Sequence, residues 1–286
     1  MAAELCLAQV EAAGLTVRGI SVGGVYTCLQ VPELDLSFDV GIAPRTLCGS
    51  RHLLLSHGHV DHIGALLTLL GQRALVGQKA PLHTLMPLEM VAPMHAMLQA
   101  ASGMQRHDLQ LEAVGMRPGD AAFLHADLWA QAVRTHHSVP SLGYIISRRV
   151  DKLKPALRGL PGVEIAARKQ AGEAVTDTVQ RPLLAYITDS LIDVLPHHPE
   201  LFQVPLLILE STFLDARKSV AEARRRCHVH LDEIIAMAER FDNEALVLMH
   251  FSQHHSPAQV HALLAERLPA CLRARVQALL PSAPGR

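Results

Sequence analysis

The segment Ser56-His57-Gly58-His59-Val60-Asp61-His62-Ile63-Gly64 sets three imidazoles and one carboxylate within a few residues of one another. Imidazole nitrogen and carboxylate oxygen are the donors that zinc, manganese and iron accept. His57 and His59 stand two apart, so in an extended segment their side chains point the same way. Asp61 and His62 then turn with the chain and face a second position nearby. Donors of this kind and spacing imply a metal site, and a divalent metal implies Lewis-acid or hydrolytic chemistry.

Such donors need elements that hold them. His52-Leu53-Leu54-Leu55 is an apolar run of strand length, and Ala65 to Leu70 reads as the start of a buried helix. The donors therefore fall where a strand ends, the edge at which open α/β sheets bind ligands. Three more strand ends deliver a donor. Leu128 to Arg134 leads into His136-His137, Pro182 to Asp189 ends on an acid, and Glu244 to Met249 ends on His250. Any one of these alone would pass for a packed histidine or a capping aspartate; their recurrence at strand ends marks a site. Asp39, after Leu34–Phe38, is either a support for a metal ligand or a turn-starting aspartate.

Elsewhere the pattern predicts an antiparallel meander over Leu15–Ser21, Val25–Val31 and Leu34–Val40, a strand at Ala74–Gln78, and a Met-rich helix over Pro87–Ala101 that Pro93 kinks or delays. Strands follow at Leu109–Val114, Ala121–Ala126 and Leu142–Ser147, then at Val204–Leu209, which ends on Glu210. Ser219–Arg226, His230–Phe241 and Pro257–Leu268 read as helices. His83 and His95 belong to packed or exposed segments. Strands separated by helices imply α/β layers. The stretch from about 148 to 181 mixes basic residues with Gly and Pro and has weak periodicity; it reads as a short surface excursion from a single domain spanning 1–286.

With 286 residues, 49% of them hydrophobic, the chain has ample material for a core. A formal net charge of −1 supplies no global field toward nucleic acid, so any contact with it must be local. Five scattered cysteines (Cys6, Cys28, Cys48, Cys227, Cys271) form no C-x-x-C and suit reduced thiols in the cytoplasm. Met1 to Val10 carries Glu4 and no basic stretch, so no signal peptide is expected, and no membrane span is either. No G-x-S-x-G, P-loop or G-x-G-x-x-G is present, which removes support for serine hydrolase, nucleotidase and dinucleotide readings.

The motif His57-Gly-His59-Val-Asp61-His62 resembles the H-x-H-x-D-H signature of the metallo-β-lactamase fold, an αββα sandwich of mostly dinuclear metallohydrolases. His137-Ser-Val-Pro-Ser-Leu-Gly143-Tyr144, Thr188-Asp189-Ser190, Leu209-Glu210-Ser-Thr212-Phe213, Cys227-His228-Val-His230 and Leu248-Met-His250-Phe251-Ser252 resemble the corresponding segments of ribonuclease Z. The resemblance implies two divalent metal ions, zinc first, with manganese or iron as alternatives. His57, His59 and His137 would hold one metal, Asp61, His62 and His250 the other, and Asp189 would bridge. Asp61, Glu210 and His228 would be the catalytic residues: a metal-bridged hydroxide attacks phosphorus, and His228, positioned by Glu210, protonates the leaving oxygen. His136 competes with His137, and His230 with His228; the family spacing favours the first of each pair.

The implied activity is a metal-dependent phosphodiesterase or endoribonuclease of the tRNA 3′-end processing type, working as a homodimer on RNA such as precursor tRNA. The alternatives are hydrolysis of a small phosphodiester, thioester or lactone, and a non-catalytic RNA-processing scaffold. Three departures stand out. The stretch between Tyr144 and Asp189 is short for the family's long tRNA-gripping arm. His254-His255 replaces its Arg-Tyr, and Leu209 stands where it has histidine. The run Arg224-Arg225-Arg226 is either a solvated helix face or a set of phosphate contacts.

Overall fold

Short apolar stretches broken by turns pair as hairpins. The computed structural model describes residues 7–280, so Cys6 and the start of the Met1–Val10 segment lie outside the described residues. β1 (Ala8–Ala12), β2 (Leu15–Gly23), β3 (Tyr26–Val31) and β4 (Leu36–Phe38) form the antiparallel meander, with β1 an addition the pattern did not reveal. β5 (His52–Leu54), β6 (Leu82–Pro87) and β7 (Leu111–Met116) then continue the same sheet in parallel. The second sheet repeats this plan. β8 (Ala121–His125), β9 (Leu128–Arg134), β10 (Leu142–Leu153) and β11 (Thr176–Ile187) are antiparallel, and β12 (Leu206–Glu210) and β13 (Ala245–Met249) follow in parallel. β14 (Phe251–Ser252) crosses back to pair with β2, and β15 (Val276–Ala278) closes the second sheet.

Three cores account for the layering. One, with Leu29, Phe38, Tyr144, Tyr186 and Ile208, lies between the two sheets. A second packs the outer face of the first sheet under α2 (Leu66–Leu75) and α3 (Val91–Gln105). The third packs the other sheet under α7 (Leu231–Ala236), α8 (Pro257–Arg267) and α9 (Ala270–Arg273). This is the αββα sandwich. Short helices complete it: α1 (Val60–Ile63), α4 (Gly162–Gln170), α5 (Val194–His197) and α6 (Val220–Arg225).

One expected strand is not formed. Ala74 and Leu75 end α2, and Val76-Gly77 is a turn. Leu75 is 88% exposed, so its apolar side chain marks no buried face. The Arg73 guanidinium instead anchors the helix end by donating to the carbonyls of Cys48 and Ser50. The strand lies further on, as β6. Pro93 falls in the first turn of α3, where no helical N–H is lost, so it delays the helix and does not kink it.

The stretch from 148 to 181 carries the outer halves of β10 and β11, paired from Arg148↔Arg181 to Leu153↔Thr176, with α4 between them. These outer strands run beyond the sandwich, and residues 176–182 are all exposed.

Candidate metal centre

The predicted donors converge because each follows the C-terminal end of a strand in one or other sheet. His57 and His59 follow β5 and are tied to the second sheet by a bridge between His57 and Ser141. Gly41 lets the α1 turn pack against the end of the meander: a Cβ there would lie 1.9 Å from the Asp61 carbonyl oxygen. Three site residues sit in the left-handed region, Asp39 at φ 53°, Asp189 at 43° and His250 at 60°. For non-glycine residues this conformation costs about 1–3 kcal/mol each, and such residues cluster at functional sites.

His57, His59, His137 and Asp189 form one group and Asp61, His62 and His250 another, the donor atoms of each within 4.8 Å of one another. Asp189 stands between them. Its Oδ2 lies 3.8 Å from His57 Nε2 and 3.9 Å from His137 Nε2, while Oδ1 lies 3.4 Å from His62 Nε2 and 3.3 Å from His250 Nε2. His59 Nδ1 is 3.0 Å from His57 Nε2 and 3.1 Å from His137 Nε2. The seven donors are thus brought together, each carboxylate oxygen of Asp189 facing one group.

Three of the far nitrogens are held as a metal site requires, while His137 Nδ1 is buried without a partner. His62 Nδ1 meets Asp39 Oδ2 at 2.8 Å, His250 Nδ1 meets Thr212 Oγ1 at 3.0 Å, and His57 Nδ1 meets Ser56 Oγ at 3.0 Å. The inward Nε2 atoms of His62 and His250 are buried without a hydrogen-bond partner. Buried polar atoms are normally satisfied, so these two await a ligand. The charge balance agrees. Burial pushes His57 down to about 2, with His62 adding to it. Burial also opposes a charge on His62, yet Asp189 and Asp39 outweigh it and carry the group up to about 9. Burial likewise opposes the charge on Asp189, but His250, His62 and His57 hold it well below the usual carboxylate range. Converging carboxylates that draw a proton onto His62 suit a cation, which binds in exchange for that proton.

Asp39 is fully buried and accepts from the Ser56 backbone N–H, the Ser56 hydroxyl and the Tyr186 hydroxyl as well as meeting His62. It orients a donor. Ser56, Tyr186 and the hydroxyl of Thr212 are orienting groups that sequence reasoning passed over. Only the rule that a buried Tyr hydroxyl finds a partner hinted at one of them.

His228 stands outside both groups, although its ring nitrogen lies within 4.8 Å of donor atoms of Asp189 and His250, a third possible set. Its Nδ1 is 3.1 Å from Glu210 Oε1, and Glu210 also accepts from the Ser190 N–H and the Thr212 hydroxyl. Burial opposes a charge on His228, but Glu210 raises the group to about 9. A charged imidazole facing the metal groups is an acid poised to donate. Asp189 Oδ2 lies 4.0 Å from His228 Nδ1. The competing histidines are engaged elsewhere: His136 packs toward His197, and His230 caps α7 through the Asp232 N–H. Leu209 is fully buried in the outer core of the second sheet, His254 lines the cavity over the metal groups, and His255 faces Asp215.

Comparison with known proteins places this arrangement. Residues 40–251 match the model of the beta-lactamase superfamily domain. The chain is 32% identical to tRNase Z TRZ1 of Arabidopsis thaliana over 273 residues, which are 95% of this chain and 96% of that one. It is 30% identical over 253 residues to the chloroplastic tRNase Z TRZ2 of the same plant, covering 88% of this chain and 71% of that one. Among solved structures, the short form of human tRNase Z aligns with a TM-score of 0.56 at 17% identity, over 82% of this chain and 92% of that one. The family match spans all seven donors, and the chain belongs to the beta-lactamase superfamily, within its ribonuclease Z (tRNase Z) branch.

Proposed function

We propose that the chain is a metal-dependent phosphodiesterase that cuts RNA near its 3′ end, with precursor tRNA as substrate. The observation that carries this reading is the Glu210–His228 pair, an acid held 3.1 Å from its carboxylate beside the seven metal donors. Cleaving a phosphodiester expels an alkoxide that needs a proton, and His228 carries one on the cavity side. Thioester hydrolysis, which expels a thiolate, makes less demand for so strongly supported an acid.

His57, His59 and His137 would hold one divalent ion and Asp61, His62 and His250 the other, with Asp189 shared between them. Two such ions supply Lewis-acid stabilisation of the phosphoryl oxygens and a water acidified toward neutrality. We assign zinc, because nitrogen-rich sets of this size suit it. The chain's own residues do the rest. The Asp61 side chain stays 17% exposed, where its carboxylate takes a proton from the attacking water. Glu210 fixes the ring of His228 and its charge, and His228 Nε2 delivers the proton to the leaving oxygen.

The same reading makes the protein a homodimer, with the meander and the Met-rich helix α3 as the apolar contact, and assigns it to the cytoplasm, where Cys28, Cys48, Cys227 and Cys271 remain free thiols. Among the described residues no helix is long and apolar enough to cross a membrane. The test is direct: zinc-loaded protein is incubated side by side with a 3′-extended precursor tRNA and with a chromogenic phosphodiester. Cleavage of both is expected. Brisk turnover of the small diester without RNA cleavage would move the assignment to small phosphodiesters.

A further inference from the structure

The three arginines that end α6 do not share one environment. Arg224 turns away from the site, its guanidinium 2.6 Å from Glu233 and 3.1 Å from Asp193. Arg225 and Arg226 are exposed, have no ion-pair partner within 4 Å among the described residues, and line the cavity of about 580 Å³ that opens over the metal groups. Lys218 lines the same wall, 3.7 Å from Glu222 at its amine. Among the described residues, the only carboxylates on this cavity are Asp61 and Asp189, both assigned here as metal donors. Beyond the metal groups, the charge offered to a ligand is therefore entirely positive.

The local fold explains the split. Cys227, left-handed at φ 58°, ends the helix, with its N–H on the Arg224 carbonyl and the His228 N–H on the Ala223 carbonyl. That turn delivers His228 to the site and leaves Arg225 and Arg226 on the same rim. The acid and the two cations are thus fixed by one helix end. With a net charge of −1 over the whole chain, no long-range field draws in a polyanion, so any phosphate contact must be local and near the chemistry.

We infer that Arg225 and Arg226, assisted by Lys218, form a subsite for a second backbone phosphate, next to the scissile one, and so select substrates with consecutive phosphodiesters. The inference rests on the phosphodiesterase reading and deepens it. Arginine suits the role because its planar fork binds phosphate oxygens through two N–H groups at once. A chromogenic diester, with one phosphate, would leave this subsite empty.

The experiment uses competition, so it does not depend on whether RNA is cut. Zinc-loaded protein turns over a chromogenic diester in the presence of phosphorothioate-linked oligonucleotides with one or two internal linkages. The two-linkage ligand should inhibit about tenfold more tightly, the scale of one charge-assisted contact. In Arg225→Gln/Arg226→Gln, checked for zinc content and folding, the two inhibitors should come within about twofold of each other. Arg225→Lys/Arg226→Lys should restore most of the gap, which a merely structural role would not predict. In the unmodified protein, the two-linkage inhibitor should also show a salt slope steeper by about 0.7. That measurement keeps the test open even if the glutamine variant misfolds. Equal inhibition by both ligands in the unmodified protein, or a gap that survives the glutamine changes, would overturn the subsite. Failure of the tRNA reading shows separately, as absence of precursor cleavage.

Discussion

Strand β5 has histidines at both ends, and they do different things. Past its C-terminal end lie His57, His59 and His62, gathered with His137, His250 and the carboxylates Asp61 and Asp189. At its N-terminal end lies His52, with Nδ1 3.0 Å from His83 Nδ1 and its ring stacked on His125 at 5.2 Å. No carboxylate meets this second trio among the described ion pairs, and His125 spends a nitrogen on the Leu34 carbonyl. Facing Nδ1 atoms share one proton between them, one ring donating and the other accepting. Imidazoles alone therefore make packing. The same rings make a metal site where strand ends from both sheets add carboxylates and where the far nitrogens of His57, His62 and His250 are held.

The comparison is broken most directly at Asp189, the residue that separates the two clusters in kind. Asp189→Ala removes both oxygens that face the donor groups, and we expect elemental analysis to find less than two metal equivalents and turnover to fall to background. Retention of full metal content would show that the histidines suffice and that the contrast is wrong. His228→Ala comes next. Metal content should stay intact while turnover drops about 10²–10⁴-fold, the usual worth of a positioned acid. Loss of metal in that variant would make His228 a donor and dissolve the division between holding and protonating.

How legible was this? The H-x-H-x-D-H run, Asp189 and His250 are marked by type and by position after apolar strand-length runs, and the geometry gathers them. His137 over His136 needed family spacing, since adjacent histidines look alike to any periodicity. Thr212, Ser56 and Tyr186 were hidden because a hydroxyl's value here lies in its partners, and each has one that is remote in sequence, His250 for Thr212 and Asp39 for the other two. Tyr186 donates to Asp39 across 147 positions. The outer half of β11 was illegible for another reason. Thr176 to Arg181 is exposed on both faces, so no apolar alternation betrays a strand. Ala74–Gln78 failed in the opposite direction, an apolar run that is simply exposed.

The His52 cluster can itself be tested by acid. Burial lowers His52 to about 4, with His83, His125 and Arg51 adding to it. A histidine depressed in the folded state binds its proton more readily when unfolded. Stability from this group is thus complete above about pH 6.5 and is lost as pH falls toward about 4. The loss amounts to at most about 3.5 kcal/mol. Unfolding midpoints of the unmodified protein and His52→Gln, followed from pH 8 to pH 4, should diverge least at the acid end. Zinc content should be the same in both. A change in metal stoichiometry on His52→Gln would place this trio in the metal-binding machinery and collapse the contrast between the ends of β5.

The smallest effect is expected at the arm, which lies outside both clusters and tests whether chemistry and grip are separable. Arg148 is already paired with Asp127 at 2.8 Å, and Arg149 lies over the Trp129 ring, 3.3 Å from its centroid. Of these four, Lys152 and Lys154 have no ion-pair partner among the described residues, so they are the two that remain free for phosphates. Neutralising Arg148, Arg149, Lys152 and Lys154 together should therefore flatten the salt dependence of RNA cleavage by about two contacts' worth, roughly 1.4–1.8 in log–log slope, and not by four. KM for RNA should rise severalfold, and the loss on a chromogenic diester should be smaller, because the donors and His228 sit at strand ends that the outer hairpin does not touch. A slope change near four contacts would mean that Asp127 and Trp129 release their arginines to the substrate. Equal losses on both substrates would mean that the hairpin supports the centre through β10 and β11. The boundary between a fixed centre and an interchangeable grip would then have to be moved inward, to the strand ends themselves.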